Sequence, residues 1–199
     1  DGDPRLDQRI AIALVALAVI GFLVAMATVH AIVAAWTPVQ GADWGHWVWS
    51  ASHDGSFFTA HYQFSELAGF VLARATWFHV AVSPLVACAL VIGAFVLAFG
   101  RLPRGSWDDA LAIALTSAVL WIGGPRAGVV WFHRPFVAAD VYGVAIALWL
   151  VAPLRCGWRV RPVLYPVIAL AGYCVGTSTR TIATAALVGV FLALRGRAR

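Results

Sequence analysis

Apolar residues fall in long runs broken by short polar or arginine-bearing segments, and the lengths of those runs carry the first inference. A segment that crosses hydrocarbon needs about 20 mostly apolar residues, because a backbone polar group without a partner there costs several kcal/mol. Ile10 to Trp36 meets that requirement. Thr37 to Phe58 follows, polar and aromatic, with Asp43, His46, His53 and Asp54 and no basic residue, and reads as an outside loop. From His61 to Thr76 the chain mixes Tyr62, Phe64, Leu67, Phe70 and Val71 with Gln63, Glu66 and Arg74, the pattern of an amphipathic helix on the outer interface. Trp77 to Phe99 is a second span, closed by Arg101 and Arg104. Trp107 to Gly123 is a shorter third, opened by Ser106 as a helix cap with Asp108 and Asp109 in the first turn, where the helix dipole favours anions. Gly123, Gly124 and Pro125 stop it outside. Phe136 to Leu154 makes a fourth span that ends in Arg155, Arg159 and Arg161. Val163 to Gly176 and Thr181 to Leu194 are short, with the turn Thr177-Ser178-Thr179-Arg180 between them.

The pattern predicts an all-α, polytopic transmembrane helix bundle of about six spans, with both termini cytoplasmic and one interfacial amphipathic helix on the outer face. Residues 1–199 form a single integral membrane domain in this reading, without repeats or linkers. The arginines order the topology: Arg5, Arg9, Arg101, Arg104, Arg155, Arg159, Arg161, Arg195, Arg197 and Arg199 all fall on one side, the excess expected of cytoplasmic segments. Tryptophans fit the same layering, with Trp36, Trp77, Trp121 and Trp131 at outer ends and Trp107, Trp149 and Trp158 at inner ones.

Composition agrees. Of the 199 residues 62% are hydrophobic and 12% charged, with a mean hydropathy of +0.84. A soluble domain carries roughly a quarter charged residues, so a charged-shell enzyme, a disordered chain and a basic nucleic-acid module are all excluded. The net charge of +5 belongs to clusters between apolar runs, so the partner it implies is the lipid bilayer and not nucleic acid. All 14 basic residues are Arg, which genome composition explains as readily as guanidinium chemistry does. Cys88, Cys156 and Cys174 show no ligand or disulfide spacing. The chain opens Asp-Gly-Asp-Pro without Met, which reads as a trimmed start, and its first apolar run is too long for a secretory signal.

Polar residues that topology leaves unexplained gather outside: Asp43, His46, His53, Asp54, His61, Glu66, Arg74, Arg126, His133, Arg134, Asp140, Thr177, Ser178 and Arg180. Acids and arginines converging on one face point to an anion handled beside a positioned carboxylate, and a solvated loop layer is the plain alternative. Asp140 stands out because it lies within an apolar run, where a carboxylate is expensive and marks a function or a structural ion pair. Its expected partner is Arg180 or Arg134. The segment Gly176 to Thr181 sets hydroxyls at a helix start, where free N–H groups and the Arg180 fork suit a phosphate, or where Ser and Thr simply cap the helix. His30, His79 and His133 lie in or near different spans without the paired spacing of haem or chlorophyll ligands, so the cofactor stays unknown.

The order of these features resembles the N-terminal half of membrane-embedded glycosyltransferases of the C superfamily. There a first span leads to an acid-bearing outside loop, then an interfacial helix (here YQFSELAGFVLAR), an aromatic cluster before a span (here VVWFHRPFVAADVYG) and a later outside turn (here GTSTRTIATAAL). The resemblance implies sugar transfer from a polyprenyl-phosphate donor at the outer face of a bacterial cytoplasmic membrane. It makes Asp43 or Asp54 the catalytic base and Arg126, Arg134 and Arg180 the phosphate ligands; Asp140 within its apolar run and the helix-start Ser178 join the arginines as expected substrate-binding residues on their own position in the sequence. The competing reading is a non-catalytic accessory subunit of a larger respiratory, photosynthetic or secretory membrane complex, using Ala- and Gly-rich helices for close contact. Short length and the lack of a diagnostic catalytic motif favour that alternative; the clustered outside acids and arginines favour the enzyme. A transporter fits less well, because duplicated halves with matching helix breaks are absent.

Overall fold

The computed structural model describes residues 4–38, 63–122 and 127–197, and every regular element among them is helical. In chain order these are α1 (Pro4–Trp36), α2 (Gln63–Arg74), α3 (Thr76–Phe99), α4 (Trp107–Ile122), the short α5 (Ala127–Phe132) and α6 (Arg134–Phe136). A π-helical stretch (Val137–Tyr142) runs straight into α7 (Gly143–Cys156), and a 3-10 turn (Pro162–Leu164) leads to α8 (Tyr165–Gly176) and α9 (Arg180–Arg197). The apolar runs of the sequence and the helices coincide closely, including the amphipathic helix and the division of the last stretch into two.

Three stretches are long and apolar enough to cross a membrane: Gln8–Trp36, Thr76–Phe99 and Val137–Cys156. The third expected span, α4, has 16 residues, about 24 Å of helix against a hydrocarbon core of about 30 Å. Pro162–Gly176 is shorter apolar helix as well.

Contacts between helices fix their directions. Ile12 near the start of α1 lies against Gly105, the Leu23 carbonyl meets Cys88 Sγ at 3.6 Å, and His30 near its end meets Trp121 of α4. Helix α1 is therefore antiparallel to α3 and parallel to α4. Tyr142 lies beside Ser83 and Arg155 beside Leu97, so α7 runs with α3. Helices α8 and α9 return and descend again, with Ser178 against Gly143 and Gly189 against Val151. Arg101, Arg155 and Arg195 thus share one end of the bundle, and Trp36, Arg134 and Ser178 the other.

The interior is made of interlocking apolar groups. Leu72, Leu90, Trp131, Val141 and Tyr142 join α2, α3, α5 and the π stretch. Met26, Val91, Phe95, Ile113 and Ala152 join α1, α3, α4 and α7, and Ala147, Val175, Ile182 and Ala186 join α7, α8 and α9. The outward faces are apolar too: Leu17, Leu115, Val167 and Leu187 are all exposed. An apolar exterior of this extent is costly in water and suits a lipid surround.

Close helix approach depends on glycine. A Cβ on Gly143 would lie 2.8 Å from Ser178 Oγ and 3.0 Å from its Cβ, and one on Gly93 would lie 3.2 Å from both Leu148 Cβ and Trp149 Nε1. At the arginine-bearing end the loop before α4 is tied by a carboxylate. Asp109 accepts from Arg101 Nη1 and Nη2 at 2.8 and 2.6 Å and from the Arg104 backbone N–H at 2.7 Å. Its own backbone N–H donates to Ser106 Oγ at 3.2 Å, the cap that the sequence predicts. The Arg101 guanidinium also lies 5.7 and 5.8 Å from the Phe95 and Phe99 ring centres. Hydrogen bonds from Arg101 and from the Arg104 N–H thus engage both carboxylate oxygens of Asp109.

Two outcomes follow. Gly143→Ala overpacks the α7–α9 contact and lowers stability by about 1–3 kcal/mol, read as a lower unfolding midpoint in detergent. Asp109→Asn leaves the Arg101 guanidinium without its carboxylate and should also lower the unfolding midpoint; a midpoint equal to that of wild type would show that the clamp contributes nothing.

Candidate functional site

Polar side chains are buried together at the Trp36 end. His30 of α1 and His79 and Ser83 of α3 are fully buried, and His133 and Arg134 at the break between α5 and α6 nearly so. Local sequence produces this arrangement. His79 and Ser83 are one helical turn apart, so they share a face of α3, and Nδ1 of His79 hydrogen-bonds Ser83 Oγ at 2.8 Å. Ser83 Oγ lies 3.1 Å from Tyr142 Oη, which carries the chain of hydrogen bonds across to the π stretch. Pro84, next to Ser83, has no N–H to return to the Val80 carbonyl, which loosens α3 at that level.

Arg134 comes from the kinked segment. His133 is extended, at φ −81° and ψ 111°, and interrupts the helix so that Arg134 turns inward. Its Nη1 donates to the Leu72 and Ala73 carbonyls at 3.0 and 2.8 Å. These are last-turn carbonyls of α2, so the guanidinium caps the negative end of the amphipathic helix. Arg134, His30 and His79 are thus buried at the same end of the bundle.

Aromatic rings close the cluster on its α4 side. The His30 ring is 5.5 Å from Trp121, 6.0 Å from Trp131 and 5.0 Å from Phe132, edge-on to both tryptophans. The two tryptophans stack at 5.3 Å, and Trp131 Nε1 donates to the Leu120 carbonyl at 3.1 Å. Both ring nitrogens of His30, Nε2 of His79, Nδ1 of His133 and Nε1 of Trp121 are buried without a hydrogen-bond partner. Buried polar atoms without a protein partner cost free energy, which sets this end of the bundle apart from the apolar packing around it. Among the described residues no three His, Cys, Asp or Glu side chains gather as a metal would need.

The residues expected from sequence are distributed unevenly. Asp43, Asp54 and Arg126 lie outside the described residues, as do His46, His53 and His61. Arg134 belongs to the cluster. Asp140 is half-buried in the π stretch, two residues before Tyr142. The ion pair expected of Asp140 does not form with either arginine, because Arg134 is directed to the α2 carbonyls and Arg180 is exposed at the start of α9. Ser178 is fully buried, and its hydroxyl donates to the Cys174 carbonyl at 2.7 Å. Thr177 Oγ1 likewise donates to the Tyr173 carbonyl, and Thr179 Oγ1 accepts from Ile182 N–H at 3.2 Å. Capping therefore occupies the hydroxyls of this turn. Sequence reading overlooked Ser83 and Tyr142; the one-turn His79–Ser83 spacing was visible, but nothing local pairs Ser83 with a tyrosine 59 positions away.

Compared with models of protein families, with curated proteins and with solved structures, the chain matches none.

Removing a link of the cluster should cost stability in order. Ser83→Ala strands both His79 Nδ1 and Tyr142 Oη and should cost about 1–3 kcal/mol. Tyr142→Phe, which removes one exchangeable bond, should cost about 0.6 kcal/mol, in line with hydrogen bonds between membrane helices. Unfolding midpoints in detergent check the ranking, and equal midpoints for the two variants would refute the chain of hydrogen bonds.

Proposed function

We propose that this protein is a polytopic integral membrane protein of about six spans, with its arginine-rich end and both termini in the cytoplasm, and that it transfers a sugar from a polyprenyl-phosphate donor at the outer face. The single observation supporting this reading is the group of buried polar residues His30, His79, Ser83, Arg134 and Tyr142, where ring nitrogens of His30 and His79 lack hydrogen-bond partners, at the end opposite Arg101, Arg155 and Arg195. Polar groups held inside apolar helices are expensive and are retained where a substrate or proton is handled. Residues 39–62, which carry Asp43 and Asp54, connect the end of α1 to the start of α2, and both helices reach this cluster through His30 and through the Leu72 and Ala73 carbonyls.

In the proposed reaction Asp43 or Asp54 removes the proton of an acceptor hydroxyl. The oxygen attacks the anomeric carbon, the bond from that carbon to the phosphate oxygen breaks, and the lipid phosphate departs with the electron pair. Arg126, Arg134 and Arg180 bind that phosphate. Asp140 orients the sugar as a hydrogen-bond acceptor, and Ser178 shapes the site through its backbone and packing. The setting proposed is a bacterial cytoplasmic membrane.

A specific observation favours a second reading, an accessory subunit. Gly21 of α1 and Gly172 and Gly176 of α8 have nothing within 4 Å of where a Cβ would stand, so small residues face outward as they do where membrane helices pack closely. The two readings separate in one experiment. Detergent-purified protein is supplied with a polyprenyl-phosphate sugar, and the double variant Asp43→Asn, Asp54→Asn is compared with wild type. A loss of about 100-fold or more in turnover with unchanged elution on gel filtration is expected. Retained turnover in the double variant would sink the assignment of the base, and fixed partner chains with no turnover would establish the subunit.

A further inference from the structure

The end of the bundle away from that cluster contains a second feature. A groove of about 580 Å³ lies between the ends of α3, α7 and α9, walled by Leu97, Val151, Leu154, Leu192 and Ala193. This volume falls within the roughly 300–1,000 Å³ of ligand-sized clefts. Gly189 lies opposite Val151 and contributes no side chain, which keeps the groove open in the middle. Leu192 and Leu154 carry its apolar lining out to the exposed surface of the bundle.

One cation stands at the mouth. Arg155 forms part of the lining; its Nε donates to the Leu97 carbonyl at 3.2 Å, and its guanidinium packs beside Gly100 at the end of α3, at the rim of the groove. No acid pairs with it among the described residues. Arg159, Arg161 and Arg195, exposed at the same end, also have no acidic partner among the described residues. The buried acid at this end, Asp109, is already held by Arg101. A positive mouth above an apolar channel is complementary to an amphiphile with an anionic head.

We infer that this groove binds an anionic phospholipid of the surrounding bilayer, with the headgroup phosphate on Arg155 and one acyl chain along Leu97, Val151, Leu154 and Leu192. Basic pockets between membrane helices recognise acidic headgroups by this combination of charge and apolar depth. A free phosphate would leave the apolar walls uncovered. A second copy of the chain, inserted in the same orientation, would bring arginines to the same level and repel. The inference is independent of the proposed sugar transfer, which concerns the opposite end.

The test uses the full chain in nanodiscs of phosphatidylcholine and phosphatidylglycerol in equal amounts, followed by native mass spectrometry of the released protein. Wild type should retain phosphatidylglycerol in preference to phosphatidylcholine. Arg155→Gln should lower that occupancy about fivefold, the equivalent of about 1 kcal/mol for one arginine near a membrane surface. Gly189→Phe should lower it by filling the channel while leaving every arginine in place, so the inference remains testable if the Arg155 variant does not fold. Circular dichroism checks that helix content is unchanged. Equal retention of the two lipids by wild type, undiminished phosphatidylglycerol in Gly189→Phe, or a lipid-free dimer would each overturn the inference.

Discussion

Donor side chains that reach a neighbouring helix's backbone carbonyl tie this bundle together. Trp149 of α7 donates to Ala89 of α3 at 2.8 Å, and Trp131 of α5 to Leu120 of α4 at 3.1 Å. Arg134 caps α2 through Leu72 and Ala73, Arg155 reaches Leu97, and Ser65 of α2 reaches the Ser178 carbonyl at 2.9 Å. The physical reason is scarcity. Among apolar helices a buried N–H has few acceptors other than the second lone pair of a main-chain carbonyl, and leaving it unmade costs about 1–3 kcal/mol. Each such bond also fixes rotation and height, because the carbonyl it uses is one particular residue's. The α3–α7 contact shows this: Trp149 finds Ala89 because Gly93 admits the indole to 3.2 Å from where a Cβ would be.

The break between α5 and α7 follows from the same constraint. Two short helices and a π-helical stretch carry the chain from Ala127 to Tyr142, where a straight helix would have been simpler. The irregular path turns Arg134 under α2 and Tyr142 toward Ser83. A π-helical stretch inside an otherwise regular helix is a frequent accompaniment of a functional position. Here it holds Asp140 as well, an acid among apolar neighbours that has no ion-pair partner among the described residues.

Much of the helical plan was legible in sequence, because the length and spacing of apolar runs decide where helices form. The amphipathic α2, the Ser106 cap and the polar turn before α9 could all be read from local spacing. The clamp at Asp109 could not. Arg101 and the Asp108-Asp109 pair are each sufficiently explained by topology and by the helix dipole, so nothing in the sequence demands that two of them meet. The π stretch was hidden because a switch from one hydrogen-bond register to the next leaves no compositional mark. In the candidate site, Arg134 was legible as a charge at the edge of an apolar run, but its direction was not: sequence offered it, with Arg180, as a partner for Asp140, and beyond the extended His133 it reaches the α2 carbonyls instead. Ser178 failed differently. Its position at a helix start is as anticipated, but the hydroxyl faces back to the Cys174 carbonyl and its bulk faces Gly143.

The two ends of the bundle solve the problem of charge in opposite ways, and the difference bears on where chemistry can occur. At the arginine-rich end the charges are exposed or, for Asp109, matched on both oxygens, so little electrostatic free energy remains unbalanced there except toward whatever the exposed guanidinium groups meet. At the other end the groups are enclosed and incompletely matched: His30 has neither ring nitrogen bonded, and His79 only one. Inside a low-dielectric surround an unmatched polar atom is strongly unfavourable, so the helices that bring it in must be held by contacts made elsewhere. The interlocked Leu72, Leu90, Val137 and Val141 packing around Tyr142 provides such contacts. Rigid apolar packing on one side and unsatisfied ring nitrogens on the other is the arrangement in which a polar group of a substrate, or a water, gains most by entering. That asymmetry, more than any single residue, distinguishes the two ends of the bundle.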